Sequence, residues 1–129
     1  MSNRLTAPLV KDALSMAYWR RKPEKGVIHH SDRGSQYAGG DYQKLLDQYG
    51  MVCSMSRKGD CWDNAVVESF FHSLKTEWTD DILYKTRDEA RADVISYIEM
   101  FYNSRRLHSF LGNKNPNDFE NNSSLEKVA

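Results

Sequence analysis

Asp32 and Glu68 are the side chains of this sequence whose type and setting best fit metal-dependent chemistry. Asp32 follows a predicted strand, Glu68 lies one turn into a predicted helix, and 35 residues separate them. A strand end and a nearby helix start can bring two carboxylates to one point, and Mg²⁺ and Mn²⁺ prefer carboxylate over imidazole or thiolate. Two such ions about 4 Å apart can activate an attacking oxygen and stabilise a leaving oxygen in phosphodiester displacement. On spacing alone, two solvated surface carboxylates are the favoured interpretation.

The elements expected to position these carboxylates alternate between helix and strand, which predicts an α/β layer with a small sheet. A first helix starts near Pro8 and ends before Pro23 and Gly26. The strands are predicted at 27–30 and 51–56, and the other helices at 41–49, 64–78 and 86–101. The last of these helices begins with a capping box from Thr86 to Glu89.

Apolar side chains share one face on each of three predicted elements. On the second strand these are Met51, Cys53 and Met55. On the third helix they are Val67, Phe70, Phe71, Leu74 and Trp78, which are predicted to point inward, and on the last helix Ala90, Val94, Tyr97, Ile98 and Phe101. Phe70, Phe71, Tyr97 and Phe101 are predicted as core. His29 and His30 are interpreted as structural, and Trp62 as an anchor of the loop that precedes the third helix.

Several segments of the sequence resemble those of transposases from bacterial insertion sequences, which share the retroviral-integrase catalytic core. The resemblance runs in order over roughly residues 5 to 120. The segments are His30-Ser31-Asp32-Arg33-Gly34-Ser35-Gln36-Tyr37, Ser54-Met55-Ser56-Arg57, Cys61-Trp62-Asp63-Asn64-Ala65, Glu68-Ser69-Phe70-Phe71 and Leu74-Lys75, then Tyr97-Ile98, Tyr102-Asn103, Arg105-Arg106, His108-Ser109, Leu111-Gly112, Pro116 and Phe119.

The resemblance implies a ribonuclease-H-like fold and a DDE triad, in which two Asp and one Glu bind divalent metal. By position, Asp32 matches the second Asp and Glu68 the Glu, at the spacing that this family keeps between them. The first Asp of the family lies on the opening strand of the sheet, well before the second. Only 31 residues precede Asp32 here, and their only acids are Asp12, in a predicted helix, and Glu24.

We therefore expect a partial ribonuclease-H-like fold that lacks the first three antiparallel strands and is helix-rich, with a short two-strand sheet. Residues 1–120 are predicted to form a truncated catalytic core, and residues 121–129 a flexible tail. The implied activity is metal-dependent phosphodiester cleavage and strand transfer in DNA transposition. With the first Asp missing, we expect weak binding of Mg²⁺ or Mn²⁺ and no activity of this chain alone.

The resemblance also implies contacts with DNA. On the third helix, Asn64, His72 and Lys75 share a polar stripe with Glu68, and this stripe faces the DNA end in the related integrases. Its alternative is a solvated helix face. The other predicted contacts are Arg57 and Lys58 in the loop before that helix, and the basic cluster Arg105, Arg106 and His108, which suits phosphates. For these, ordinary surface charge and complementarity to a helix C-terminus are the alternatives.

Composition restricts the other possibilities. Lys plus Arg and Asp plus Glu both count 18, so bulk charge does not indicate nucleic acid. No apolar run is long enough for a membrane span, and Cys53 and Cys61 fit two reduced thiols in a cytoplasmic protein better than a zinc site. The expected partners are DNA, both transposon ends and target, and another copy or a full-length transposase. The alternative to catalysis is a non-catalytic remnant that binds DNA or self-associates.

Overall fold

The computed structural model of the chain describes residues 4–57 and 61–126. By their contacts the residues divide into two units, Ser2–Ser69 and Phe70–Ala129. This division falls inside the single core predicted over 1–120, and the extent of that core stays a prediction. Each unit is described separately below.

The first unit opens with helix α1 (Ala7–Arg21), as the sequence predicted. Pro8 lies in the first turn, where its missing N–H costs no hydrogen bond. Lys22 ends the helix with a left-handed φ of 43°, and its N–H donates to the carbonyl of Tyr18.

Two parallel strands form the sheet of this unit. β1 (Ile28–Ser31) pairs with β2 (Val52–Met55), in a register that runs from Ile28 opposite Val52 to Ser31 opposite Met55. Parallel neighbours need a crossover, which α2 (Ser35–Ala38) and α3 (Gly40–Gln48) provide. The sequence predicted both strands and α3, but not the short helix α2. Because the strands are parallel, both carboxyl ends lie at one edge of the sheet.

The core of the first unit joins α1 to α3. Val10 and Leu14 of α1 are buried together with Tyr42 and Leu46 of α3. The Tyr42 hydroxyl lies 3.1 Å from Nε2 of His29 on β1 and so connects the helix layer to the sheet. His29 therefore has the structural role expected of it.

The helix predicted over 64–78 is present in three parts. A 3₁₀ turn (Cys61–Asn64) leads into α4 (Ala65–Leu74), and a π-helical turn (Lys75–Thr79) follows. α4 carries Glu68 in its first turn, as predicted.

The second unit contains α5 (Arg87–Ser96), which continues into a π-helical segment (Tyr97–Tyr102). The predicted capping box is confirmed, since the Thr86 hydroxyl accepts a hydrogen bond from the N–H of Glu89 at 3.1 Å. The Glu89 carboxylate bonds back to the N–H of Lys85, one residue before the cap, at 2.9 Å.

An aromatic cluster forms the centre of the second unit. Tyr97 is fully buried, with 0% of its surface exposed. Rings of four residues lie around it at centroid distances from 5.4 to 6.5 Å: Phe70, Trp78, Phe101 and Tyr102. This confirms Tyr97 as the central apolar position of the last predicted helix.

A final helix was not predicted from the sequence. After a 3₁₀ turn (Ser109–Leu111), α6 spans Pro116–Glu126 and so enters the segment predicted as tail. Its start follows ordinary capping rules, because Asn115 accepts from the N–H of Asp118 at 2.9 Å and donates to its carboxylate at 2.7 Å. The flexibility predicted for 121–129 is not tested here, and residues 127–129 lie outside the described part.

Two positions predicted to point inward are exposed. Val67 and Phe71 of α4 have 50% and 51% of their surface exposed. Periodicity indicates which side chains share a face, but not whether another element covers that face. The predicted inward position of these two residues is therefore wrong. On β2, Cys53 is an exposed free thiol. No helix in the described part of the chain is long and apolar enough to cross a membrane.

Candidate metal centre and nucleic-acid interface

Asp32 lies at the carboxyl edge of the parallel sheet, directly after β1. Its Oδ1 accepts a hydrogen bond of 2.8 Å from the N–H of Gly34, an Asx turn that orients the carboxylate. The residue is exposed. Among the described residues, this turn is made through Oδ1 of the carboxylate.

Ser56 connects this edge to the start of α4. It follows β2 directly, and its N–H donates to the carbonyl of Ser31 at 2.9 Å. Its hydroxyl donates to Oδ1 of Asn64 at 2.9 Å, and Asn64 immediately precedes α4. Hydrogen bonds thus connect the strand that ends before Asp32 to the helix that carries Glu68.

Glu68 is exposed in the first turn of α4, one helical turn after Asn64. Carboxylates at a helix N-terminus are favoured by the partial positive charge there. Asp32 and Glu68 belong to the same unit of the chain, and each presents its carboxylate to solvent.

The two carboxylates fit part of a magnesium or manganese site. Mg²⁺ retains several waters and is commonly bound by one or two carboxylates together with substrate phosphates. Across residues 4–57 and 61–126, no three His, Cys, Asp or Glu side chains come together as ligands. Asp32 and Glu68 are the two carboxylates that the sequence predicts as ligands of such an ion.

The loop between Ser56 and α4 is closed by an ion pair. Asp63 accepts from the N–H of Arg57 at 2.8 Å and from its guanidinium at 3.2 and 3.3 Å. These hydrogen bonds from Arg57 lower the pKa of Asp63 below its usual range. Arg57, predicted as a phosphate contact, thus has a partner within the chain. Lys58 and the side chain of Trp62 lie outside the described part of the structure.

The polar stripe predicted on the third helix divides into two kinds of residue. Asn64 is half-buried, and its Oδ1 already accepts the hydrogen bond from Ser56. His72 near the end of α4 and Lys75 in the π-helical turn are exposed. Their exposure is compatible with DNA contact as well as with a solvated face.

The predicted basic cluster in the second unit also divides. Arg105 is exposed. The Arg106 guanidinium donates two hydrogen bonds to the Glu77 carboxylate, at 2.6 and 2.7 Å, and lies 5.7 Å from the Tyr102 ring centroid. These bonds lower the pKa of Glu77 and raise that of Arg106. The charge of Arg106 is thus largely balanced by an internal partner.

His108, the third member of that cluster, has the surroundings of a structural residue. Its ring lies edge-on to Tyr102 at 4.8 Å, and its Nε2 is buried with no hydrogen-bond partner among the described residues. Burial lowers the pKa of this imidazole, which favours the neutral form.

Sequence reasoning did not single out Ser56 or Glu77. Ser56 occurs in one of the segments that resemble transposases, but nothing in its residue type or spacing distinguishes it from the other serines. Glu77 is 29 positions from Arg106, so no local pattern indicates their ion pair.

Comparison with known proteins identifies similar chains. A family model described as "Integrase core domain" matches residues 49–116, and a second with the same description matches residues 1–61. The InsF transposase of insertion sequence IS3A from Escherichia coli K12 is 52% identical over 121 residues, which cover 94% of this chain and 42% of that protein. The transposase of insertion sequence element IS904 from Lactococcus lactis is 46% identical over 120 residues, 93% of this chain and 47% of that protein.

Two solved structures share the fold at low sequence identity. The catalytic core domain of BIV integrase has a TM-score of 0.66 at 19% identity, over 96% of this chain and 76% of that one. A chain of the simian T-cell lymphotropic virus intasome, solved in complex with PP2A regulatory subunit B56 gamma, has a TM-score of 0.64 at 14% identity. This match covers 83% of the present chain and 37% of that one. The chain spans less than half the length of the two transposases.

Proposed function

Because this chain belongs to the integrase core domain family, we propose that it forms part of the catalytic core of a DNA transposase and that Asp32 and Glu68 bind its divalent metal. The predicted identity as an insertion-sequence transposase with an integrase-type core is confirmed by the similar sequences. The predicted fold class is confirmed by the solved structures and by the parallel two-strand sheet.

One observation carries the metal assignment. The carbonyl of Ser31, the residue before Asp32, accepts from the N–H of Ser56, and Ser56 in turn bonds to the residue that precedes α4. Short hydrogen bonds therefore connect the elements that bear the two carboxylates. Phosphodiester transfer requires hard oxygen ligands that converge on the reacting phosphate, and this connection supports that convergence by holding the two elements together.

The proposed roles of the chain's own residues follow from this geometry. Asp32 and Glu68 each contribute carboxylate oxygen, with the Asx turn at Gly34 fixing the orientation of the first. When bound, Mg²⁺ or Mn²⁺ supplies electrostatic stabilisation to the attacking and leaving oxygens of an in-line displacement. Water or a DNA 3′-hydroxyl is the nucleophile, so no side chain forms a covalent intermediate.

DNA is the proposed substrate, both transposon end and target. Arg105, Lys75 and His72 are proposed as its first contacts, because their side chains are exposed. Asn64, Arg57, Arg106 and His108 have partners or packing within the chain, so contact with phosphate would compete with those interactions. Lys58 stays a prediction from the sequence.

The whole protein's activity, assembly and cellular location are proposals as well. We propose a second copy, or a full-length transposase, as the protein partner, because a solved structural neighbour is an intasome. The cytoplasmic location stays a prediction from composition. So does the expectation that the chain is inactive alone.

A non-catalytic role is the second candidate, and the sheet gives an observation in its favour. Ile28 and Val52 are direct register partners, yet 68% and 52% of their surfaces are exposed. Exposed apolar pairs on a two-strand sheet favour association with another chain. Light scattering over a range of concentrations tests this, and a strict monomer at high concentration would contradict self-association.

Nicking and strand transfer of labelled DNA in Mn²⁺ test the catalytic proposal, with the wild-type chain compared with Glu68→Gln and Asp32→Asn. Exposed Glu24→Gln in the same unit is the matched control. Activity that is lost in the two site variants and kept in the control would support catalysis. Activity that survives Glu68→Gln would contradict a metal role for Glu68. DNA binding without cleavage in every protein, including the wild type, would agree with the predicted inactivity of the chain alone and would favour the non-catalytic role.

A further inference from the structure

We propose that Ser56 is a positioning residue, whose hydroxyl holds the start of the Glu68 helix against the end of the Asp32 strand. This inference rests on the proposed metal site and deepens it, because it names the side chain through which two separate elements are held together. Ser56 itself is not proposed to touch metal or DNA.

Ser56 is a buried polar residue at the centre of several contacts. Only 4% of its surface is exposed. Its carbonyl accepts from the guanidinium Nε of Arg33 at 2.8 Å, and its N–H bonds to Ser31. The main chain of Ser56 is therefore bonded to Ser31 and Arg33, the two residues that flank Asp32. Its hydroxyl bonds instead to Asn64, the residue before α4.

The direction of the hydroxyl hydrogen bond follows from counting protons. A serine hydroxyl donates one hydrogen bond and can accept others. Its shortest contact is Asn64 Oδ1 at 2.9 Å, while the Ser31 carbonyl and His30 Nε2 are both at 3.3 Å. The proton is assigned to Asn64 because that acceptor is the nearer one, and the Ser31 carbonyl already accepts from the N–H of Ser56.

His30 completes an ordered chain of hydrogen bonds. With the Ser56 proton on Asn64, Nε2 of His30 donates to the Ser56 oxygen. Nδ1 of the same ring then accepts from the Ser54 hydroxyl at 2.9 Å. The chain therefore runs from Ser54 through His30 and Ser56 to Asn64, and every step has both a donor and an acceptor.

Removal of the Ser56 hydroxyl breaks the step that reaches the helix. Asn64 is half-buried, and its Oδ1 then loses its hydrogen-bond donor. We expect this loss to shift the equilibrium between the closed and the locally open helix start about tenfold towards the open state. Ser54 gives a matched comparison. It lies on β2, two residues before Ser56, and its hydroxyl belongs to the same series of hydrogen bonds, but it bonds to His30 and not to Asn64.

Amide hydrogen exchange of the metal-free full chain tests the proposal. Ser56→Ala is expected to speed exchange at residues 65–69 about tenfold, with the amides of α3 changed less than about twofold. Asn64→Ala is expected to have the same effect, and the double variant to add little to either. Ser54→Ala is expected to change residues 65–69 by less than about twofold.

A uniform rise in exchange across the first unit, or additive effects of the two substitutions, would overturn the proposal, since Ser56 would then act only on overall stability. A second readout is Mn²⁺ affinity, which Ser56→Ala is expected to weaken about tenfold, as is usual when a residue that orients a ligand is lost. An affinity equal to that of the wild type would also overturn it. If the wild-type chain binds no Mn²⁺, the metal site fails, and the exchange result still decides whether Ser56 positions the helix.

Discussion

The guanidinium of Arg106 donates two hydrogen bonds, of 2.6 and 2.7 Å, to the carboxylate of Glu77, which lies 29 positions earlier in the sequence. Paired hydrogen bonds between Arg and a carboxylate are stronger and more directional than single ones. The pair is partly exposed, with 26% and 35% of the two side chains accessible, so solvent weakens it. It connects the π-helical turn to the segment after α5, and it distinguishes Arg106 from its neighbour Arg105.

We expect Arg106→Ala to destabilise the chain by about 1 kcal/mol, because the substitution removes both hydrogen bonds and the contact over Tyr102. Arg106→Lys is expected to recover only part of this loss, since an ammonium cannot form the paired geometry. Urea denaturation gives the change in the free energy of unfolding. Arg105→Ala is the control, with an expected change within about 0.5 kcal/mol. Equal effects of the two alanine variants would contradict the assignment.

The same pair makes stability depend on pH. Arg106 lowers the pKa of Glu77 in the folded chain, so the unfolded state binds the proton at a higher pH than the folded state does. The contribution of Glu77 is then complete above its ordinary pKa of 4.5 and is lost as the pH falls through the lower folded value. We expect the stability difference between wild type and Glu77→Gln to shrink below about pH 4.5. Thermal unfolding at a series of pH values measures it, and a difference that grows on acidification would refute this explanation.

We expect Arg105 to contribute to DNA binding through a contact with phosphate. Arg105→Ala is expected to weaken affinity about equally for different DNA sequences, and to reduce the slope of log affinity against log salt by about 1. The reason is that Arg105 is exposed and forms no ion pair with the residues that the structure describes, so its guanidinium can release a counterion from phosphate. Fluorescence anisotropy at several salt concentrations measures both quantities. Lys44→Ala on α3, at an exposed lysine outside the proposed contacts, is the control, and an equal effect there would show only a general loss of charge.

Much of the local structure could be predicted from the sequence because its signals are local. The capping box at Thr86 and the stop before Pro23 depend on residues within one turn of each other. The first strand is predicted from a short local signal and the second from alternation, and the position of Asp32 after β1 follows directly. The capping of α6 by Asn115 and Asp118 is equally local, and it was missed because the polar composition of 121–129 dominated the interpretation.

The remaining features depend on packing between distant residues. The apolar spacing of Val67 and Phe71 indicated a shared helix face, but it contained no information on what covers that face. The role of Ser56 depends on the parallel register of β1 and β2, which places it beside Ser31. Arg106 was grouped with Arg105 as a phosphate contact because its partner, Glu77, lies far away in sequence.

The central claim, that Asp32 and Glu68 bind one metal site, is tested most directly by Mn²⁺ titration of the full chain followed by NMR. A paramagnetic ion broadens the amide resonances nearest to it. We predict that the first Mn²⁺ added broadens the resonances of residues 32–34 and 66–69 together. Asp32→Asn and Glu68→Gln should each weaken binding about tenfold or more, whereas Glu24→Gln should not. Broadening at only one of the two segments, or unchanged binding in Glu68→Gln, would contradict a shared metal site.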